Sequence, residues 1–263
     1  MIQRGRRKLD IFATFLACAL ALMLLSPAAA DSWRDAFNTL PRPLPDHRLG
    51  IDSVILKDGR VLIIGGFIQD EHHLVPLLAR PETEIYNPIT GAFTPTGDMA
   101  SPRCQTAPAV LPNDQVLVVG GVTCVNWDRN VARLVGATVF KTAELFDAAN
   151  GSFERVGDMT VARVCPALVV LRDGKVLVIG GQPHFLNGGM TSVELFDPAT
   201  ATFHLNGNLQ YGRACAQAKL LDDGKVLVTD GLVRGLPGGV ADVGINQTEI
   251  YDPVTGTSIV STP

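Results

Sequence analysis

One phrase recurs four times in this chain, and it limits the fold more than any other feature. Leu56 to Gly66 reads Leu-Lys-Asp-Gly-Arg-Val-Leu-Ile-Ile-Gly-Gly. Leu111 to Gly121, Leu171 to Gly181 and Leu221 to Gly231 repeat the pattern, and the last copy has Asp230 where the first glycine of the pair should stand. A spacing of about 50 residues marks stacked supersecondary units, each unable to bury its apolar face alone. At 263 residues, with 46% hydrophobic and 18% charged residues, the chain has ample material for one large β-rich core and does not read as disordered.

The first thirty residues are a different text. Arg4, Arg6, Arg7 and Lys8 precede an apolar run from Ile11 to Leu25, and Ala28-Ala29-Ala30 offers a small-residue cleavage site. This pattern reads as a secretory signal peptide over 1–30. It places the mature protein in the periplasm or outside the cell, with an uncleaved membrane anchor as the alternative. Cleavage removes those four cations and Asp10 from a chain of net charge −4, leaving −7. An acidic chain without a basic patch is a poor binder of nucleic acid and is not drawn to anionic lipid.

Each unit contains four candidate strands. The first follows an arginine: Arg48, Arg103, Arg163 or Arg213. Asp58-Gly59, Asp173-Gly174 and Asp223-Gly224 then supply the tight turn into the second strand, which ends at the glycine pair. The third alternates apolar and polar residues and closes on Asx-Pro in three copies, as in Thr83-Glu84-Ile85-Tyr86-Asn87-Pro88. The fourth carries Gly-x-Phe, as in Gly91-Ala92-Phe93 and Gly151-Ser152-Phe153.

This order resembles the kelch repeat, over roughly residues 37–260. The resemblance implies an all-β kelch-type propeller similar to the central domain of galactose oxidase. Its blades are expected at 48–99, 103–159, 163–209 and 213–260, after the signal-peptide helix and an N-terminal segment at 31–47. Kelch propellers usually close with five to seven blades, and four are recognisable here. Phe37 to Leu40 looks like a fourth strand of the kind that completes a last blade, whereas the last blade's own candidate strand, Gly256 to Val260, has Ser258 in place of phenylalanine. Three arrangements stay open: four blades that close, self-association that completes the ring, or a truncated relative of a larger propeller.

In a kelch propeller the loops between second and third strands, here 67–82, 122–142, 182–192 and 232–247, share a face with the blade-to-blade connections. Loops of varying length on a rigid scaffold carry function. The second holds Trp127, Asp128, Arg129, Arg133 and Lys141, an aromatic beside charged groups suited to stacking on a sugar or anchoring a peptide. Arg48, Arg103, Arg163 and Arg213 form a set of one per blade. They read either as an anion clamp at the channel mouth or as structural partners of Glu84, Glu144, Glu194 and Glu249.

Four cysteines remain in the mature chain. Counting outward from the turn between Leu111 and Val116 brings Cys104 nearly opposite Cys124, a disulfide candidate in an exported protein. Cys165 and Cys215 occupy one slot in adjacent blades and read as small buried residues, with an inter-blade bond as the alternative. His72 and His73 match no zinc spacing, so no metal or other cofactor is expected. Galactose oxidase binds copper through tyrosines and histidines, and only Tyr211 of the three tyrosines here lies outside the repeat pattern. No nucleophile–base set is visible. The expectation is a non-catalytic module that binds a protein or glycan, with a sugar mutarotase-like enzyme or a propeller remnant as alternatives.

Overall fold

The turns that punctuate each repeat require a left-handed residue, and that requirement sets the strand pairing. Gly59, Gly174 and Gly224 adopt φ of 84°, 86° and 86°, and Asp114 takes the same place at 70°. A computed structural model describes residues 48, 50–68, 78–123, 126–128, 133–135, 138–183, 188–234 and 242–261, all within the unit Arg42–Pro263. The expected signal-peptide helix, Phe37 to Leu40, His72 and His73 lie outside the described residues.

Blade 1 consists of β1 (Asp52–Ile55) and β2 (Val61–Ile64), a small hairpin of β3 (Phe67–Ile68) and β4 (Leu78–Ala79), then β5 (Thr83–Asn87) and β6 (Ala92–Pro95). Blade 2 follows the same plan with β7 (Ala107–Val110), β8 (Gln115–Val119), the hairpin β9 (Asn126–Asp128) and β10 (Arg133–Val135), β11 (Ala143–Asp147) and β12 (Ser152–Arg155). Blade 3 has β13 (Ala167–Val170), β14 (Val176–Ile179), β15 (Met190–Asp197) and β16 (Thr202–Arg213). Blade 4 has β17 (Gln217–Leu220), β18 (Val226–Thr229), the hairpin β19 (Leu232–Arg234) and β20 (Asp242–Gly244), β21 (Thr248–Asp252) and β22 (Thr257–Ser261). Within each blade the four long strands pair antiparallel in chain order, which gives four four-stranded sheets arranged as propeller blades.

Blades stack face to face through their apolar rows. The forward row of blade 1, with Leu62, Ile64 and Ile85, meets Val116, Val118 and Phe146 of blade 2. Leu117, Val119 and Leu145 meet Val176, Val178 and Phe196 of blade 3. Leu177, Ile179 and Leu195 meet Val226, Val228 and Tyr251 of blade 4. The inner strands follow this order, with β1 on β7, β7 on β13 and β13 on β17. Among the described elements, β17 and β1 do not pack with comparable strength. The four sheets therefore make a consecutive arc rather than an evenly closed ring.

The weak fourth strand of the last blade forms within that blade: β22 pairs with β21, placing Ser258 opposite Tyr251. In blades 1 to 3 an aromatic pair occupies this point, Tyr86–Phe93, Phe146–Phe153 and Phe196–Phe203, with ring centroids 4.7–4.9 Å apart. Ser258 replaces that stacking with a hydroxyl that donates to Glu249 at 2.7 Å.

Candidate functional site

The end of the arc that carries the blade-to-blade connections and the small hairpins is where the sequence places a ligand. Its floor is built from the arginine set. The Arg103 guanidinium donates to the carbonyls of Gly120 (3.1 Å) and Thr142 (3.3 Å) and to Glu144 (2.9 Å). Arg163 repeats this with Gly180, Ser192 and Glu194, and Arg213 with Asp230, Gln247 and Glu249. Arg48 reaches the Gly65 and Glu82 carbonyls and pairs with Glu84 at 3.0 Å. The opposite carboxylate oxygens accept backbone N–H groups of the preceding connection, from Ala100, Thr160 and Gln210. All four arginines are at most 5% exposed.

An anion clamp needs guanidinium groups turned toward a ligand. Here they are turned into the blades and hydrogen-bonded there, so the arginine–glutamate tie is the arrangement observed. Burial draws Arg103 and Arg163 below the usual guanidinium range, and the paired glutamates oppose that shift. The pairs tie the second strand, the third strand and the blade connection together, which holds the loop-bearing end rigid.

The residues expected to meet a ligand are only partly visible. Trp127 stands opposite Leu134 and Asp128 opposite Arg133 on the β9–β10 hairpin. Arg129 lies outside the described residues. Lys141 follows the hairpin and is paired with Asp158 at 3.5 Å.

At the inner edge of this end, Gln105, Cys165 and Cys215 share one left-handed conformation, with φ of 52°, 51° and 50°. The Cys165 N–H donates to the Gln105 carbonyl and the Cys215 N–H to the Cys165 carbonyl, a backbone chain that steps from blade to blade. This approach brings the two cysteines into a disulfide, with Cα atoms 4.9 Å apart. The reading of Cys165 and Cys215 as two small buried thiols is therefore replaced by the inter-blade bond. Cys104 is buried and pairs through its backbone with Val122, and Cys124 lies outside the described residues.

Sequence reasoning missed Asp52. It occupies the position held by Ala107, Ala167 and Gln217 in the other blades, so the repeat does not require a carboxylate there. One oxygen accepts the Thr106 N–H (2.7 Å) and hydroxyl (2.8 Å) across the blade 1–blade 2 interface. The residue keeps part of its surface open while protein surrounds the carboxyl. Desolvation pushes it up to about 7, against the lowering effect of the Thr106 bonds, and no charged neighbour contributes. A repeat-breaking acid among uncharged siblings was the available signal. Among the described residues, no group of three or more His, Cys, Asp or Glu side chains is gathered to hold a metal.

The architecture defines a β-propeller. No protein-family model matches the chain, and no curated protein does. Among solved structures it is similar to a novel fungal alcohol oxidase of the AA5 family in complex with copper. The identity is 17% and the TM-score 0.49, over 82% of this chain and 53% of that one. The chain thus spans about half the length of the structure it matches. Copper and alcohol oxidation belong to that protein, and a likeness of this size assigns neither to this chain. The expectation of a non-enzyme is corrected: a solved structure similar to this chain is an enzyme, and a catalytic set not visible in a sequence does not by itself exclude activity.

Proposed function

We propose that this protein is an exported kelch-type binding module that takes a protein or glycan on the face where its small hairpins gather. One observation carries the reading. Hairpins of differing length, β3–β4, β9–β10 and β19–β20, rise from the same end of blades 1, 2 and 4, whose main strands are all four or five residues long. Below them the arginine–glutamate ties fix the floor. A rigid base with variable loops is how recognition surfaces are commonly built. The test is a glycan array together with affinity capture on the immobilised protein. Replacing Trp127 and Arg129 by alanine should weaken capture of the bound species at least about tenfold with the thermal midpoint unchanged. Unchanged capture removes this surface from the reading.

Asp52 supports a second reading, an enzyme acting on a sugar at the same end. A carboxyl that titrates near neutrality can give and take a proton at ambient pH. Arg103 and Arg163, which such a reaction could use for a substrate carboxylate, are committed to Glu144 and Glu194. Asp52→Asn should then abolish turnover of a responsive sugar in a folded protein. Retained turnover sinks the reading.

A further inference from the structure

The loss of a glycine at Asp230 has a geometric explanation that extends to the whole face around it. The first glycine of each pair, at Gly65, Gly120 and Gly180, is required by the neighbouring blade. A Cβ at these positions would overlap the carbonyl oxygen of Arg103, Arg163 and Arg213, respectively, which is the arginine of the next blade each time. The second glycine of each pair then donates its N–H to that same carbonyl: Gly66 to Arg103, Gly121 to Arg163 and Gly181 to Arg213. In blade 4 no such bond leaves Gly231 among the described residues. Asp230 keeps the left-handed backbone, at φ 55°, yet carries a side chain. The position has lost its glycine at the one place where no following arginine is seated.

The forward face of blade 4 departs from its siblings in the same direction. Across blades 1 to 3 its central row reads Val54–Leu62–Ile85, Ala109–Leu117–Leu145 and Val169–Leu177–Leu195. In blade 4 the row is Lys219–Leu227–Ile250. Its fourth-strand place is held by Ile259, which is more apolar than Thr94, Glu154 and His204 of blades 1 to 3, so the polar change is confined to the inner strands. The adjoining row is Ala107–Val119–Ala143 in blade 2 and Ala167–Ile179–Val193 in blade 3. Gln217, Thr229 and Thr248 hold those places in blade 4. Blade 1 also has polar residues here, but blade 2 satisfies Asp52 through Thr106. Leu62, Leu117 and Leu177 are fully buried, whereas Leu227 is half-buried, Lys219 is exposed and Ile259 is 66% exposed.

We infer that the forward face of blade 4 is a terminal cap built to face water, and that neither a further blade of this repeat nor the first blade of a second copy docks on it. Stacked-repeat proteins need such polar ends to stay soluble. A docked blade would bury Lys219, Gln217, Thr229 and Thr248 against β-branched and aromatic side chains, leaving charge and hydrogen-bonding groups without partners. The arginine carbonyl of an incoming blade would also meet the Asp230 side chain. Each of the three arrangements open to the sequence would seat a blade on this face: the chain's own first blade in a closed ring, a second copy's, or a missing one. The polar residues disfavour all three. The side of the arc beyond blade 4 is a solvent-facing wall.

The experiment restores the internal pattern in the full chain with Gln217→Ala, Lys219→Val, Thr229→Ile, Asp230→Gly and Thr248→Val together. Light scattering over a wide concentration range should give one chain mass for the wild type and at least a doubled mass for the variant. A wild-type dimer that Leu227→Asp dissociates overturns the inference. So does a folded variant that stays monomeric. Should the fivefold variant fail to fold, hydroxyl-radical labelling of wild-type Leu227, Ile250 and Ile259 decides. Labelling well above that of Leu177 and Leu195 supports the cap, and equal protection overturns it.

Discussion

Leu177 and Leu227 stand at equivalent points of equivalent blades, yet one is sealed and the other half-open. The strands beneath them pair identically, second strand to first and to third. The difference is in the neighbour, and the surrounding residues have followed it. Blades 2 and 3, each with a successor packed on it, carry glycine, alanine, valine and isoleucine at the crowded points. Blade 4, on which no described blade is seated, carries aspartate, glutamine, lysine and threonine. Backbone architecture is thus set by local pattern, and residue choice on each face by what lies across from it.

The last blade also lacks half the burial that secures an internal one. The Cys165–Cys215 bond joins it covalently to blade 3 at the inner edge, and Tyr251 adds a hydroxyl bond to Asn206 of blade 3 at 2.5 Å. We read these as local compensation for a one-sided blade.

The sharpest way to break the comparison is to exchange its residues. Gly120→Asp, which copies blade 4 into blade 2, should cost about 4 kcal/mol or more in urea unfolding, because the side chain has no space beside the Arg163 carbonyl. Asp230→Gly should stay within about 1 kcal/mol of wild type. Equal effects would show that both sites face the same surroundings. Replacing Cys165 and Cys215 by serine opens a 50-residue loop. In chain-entropy terms this should cost about 4 kcal/mol, and hydrogen exchange should show blade 4 opening first. Next, Leu177→Ala should cost about 3 kcal/mol and Leu227→Ala about 1, read as paired denaturation midpoints.

The smallest effect concerns Asp52, the polar residue on a covered face. Its folded-state pKa, about 7, lies above its ordinary value of 3.8. The unfolded chain therefore releases this proton first as pH rises. The contribution of this residue to stability is greatest below about pH 4, is lost as pH climbs to about 7 and then levels. The residue is partly open, so a loss of about 1–2 kcal/mol is expected rather than the full conversion of the shift. Asp52→Asn should flatten the curve in this window. A wild-type curve already flat between pH 4 and 7 would contradict the burial assigned to the carboxyl.

Much of this was legible from residue order. Alternation in Thr83 to Asn87, repeated four times, and the turn at Asp58-Gly59, repeated as Asp-Gly in three of the four copies, specified antiparallel four-stranded blades, because strand period and turn geometry are local properties. The arginine set was visible as a set, but two roles fitted it equally well. Which role applies depends on where Glu84, Glu144, Glu194 and Glu249 come to lie, 31–41 residues away in the three pairs with Arg48, Arg103 and Arg163 set by strand pairing.

What the chain determined by itself is the blade, since hydrogen-bonded turns and alternating side chains act over a few residues. Only the tertiary structure decided which cysteines meet, why Asp52 is held near neutrality and why the fourth glycine pair is broken. Each of those rests on what a different blade brings to within a few ångströms, and sequence spacing does not carry that distance.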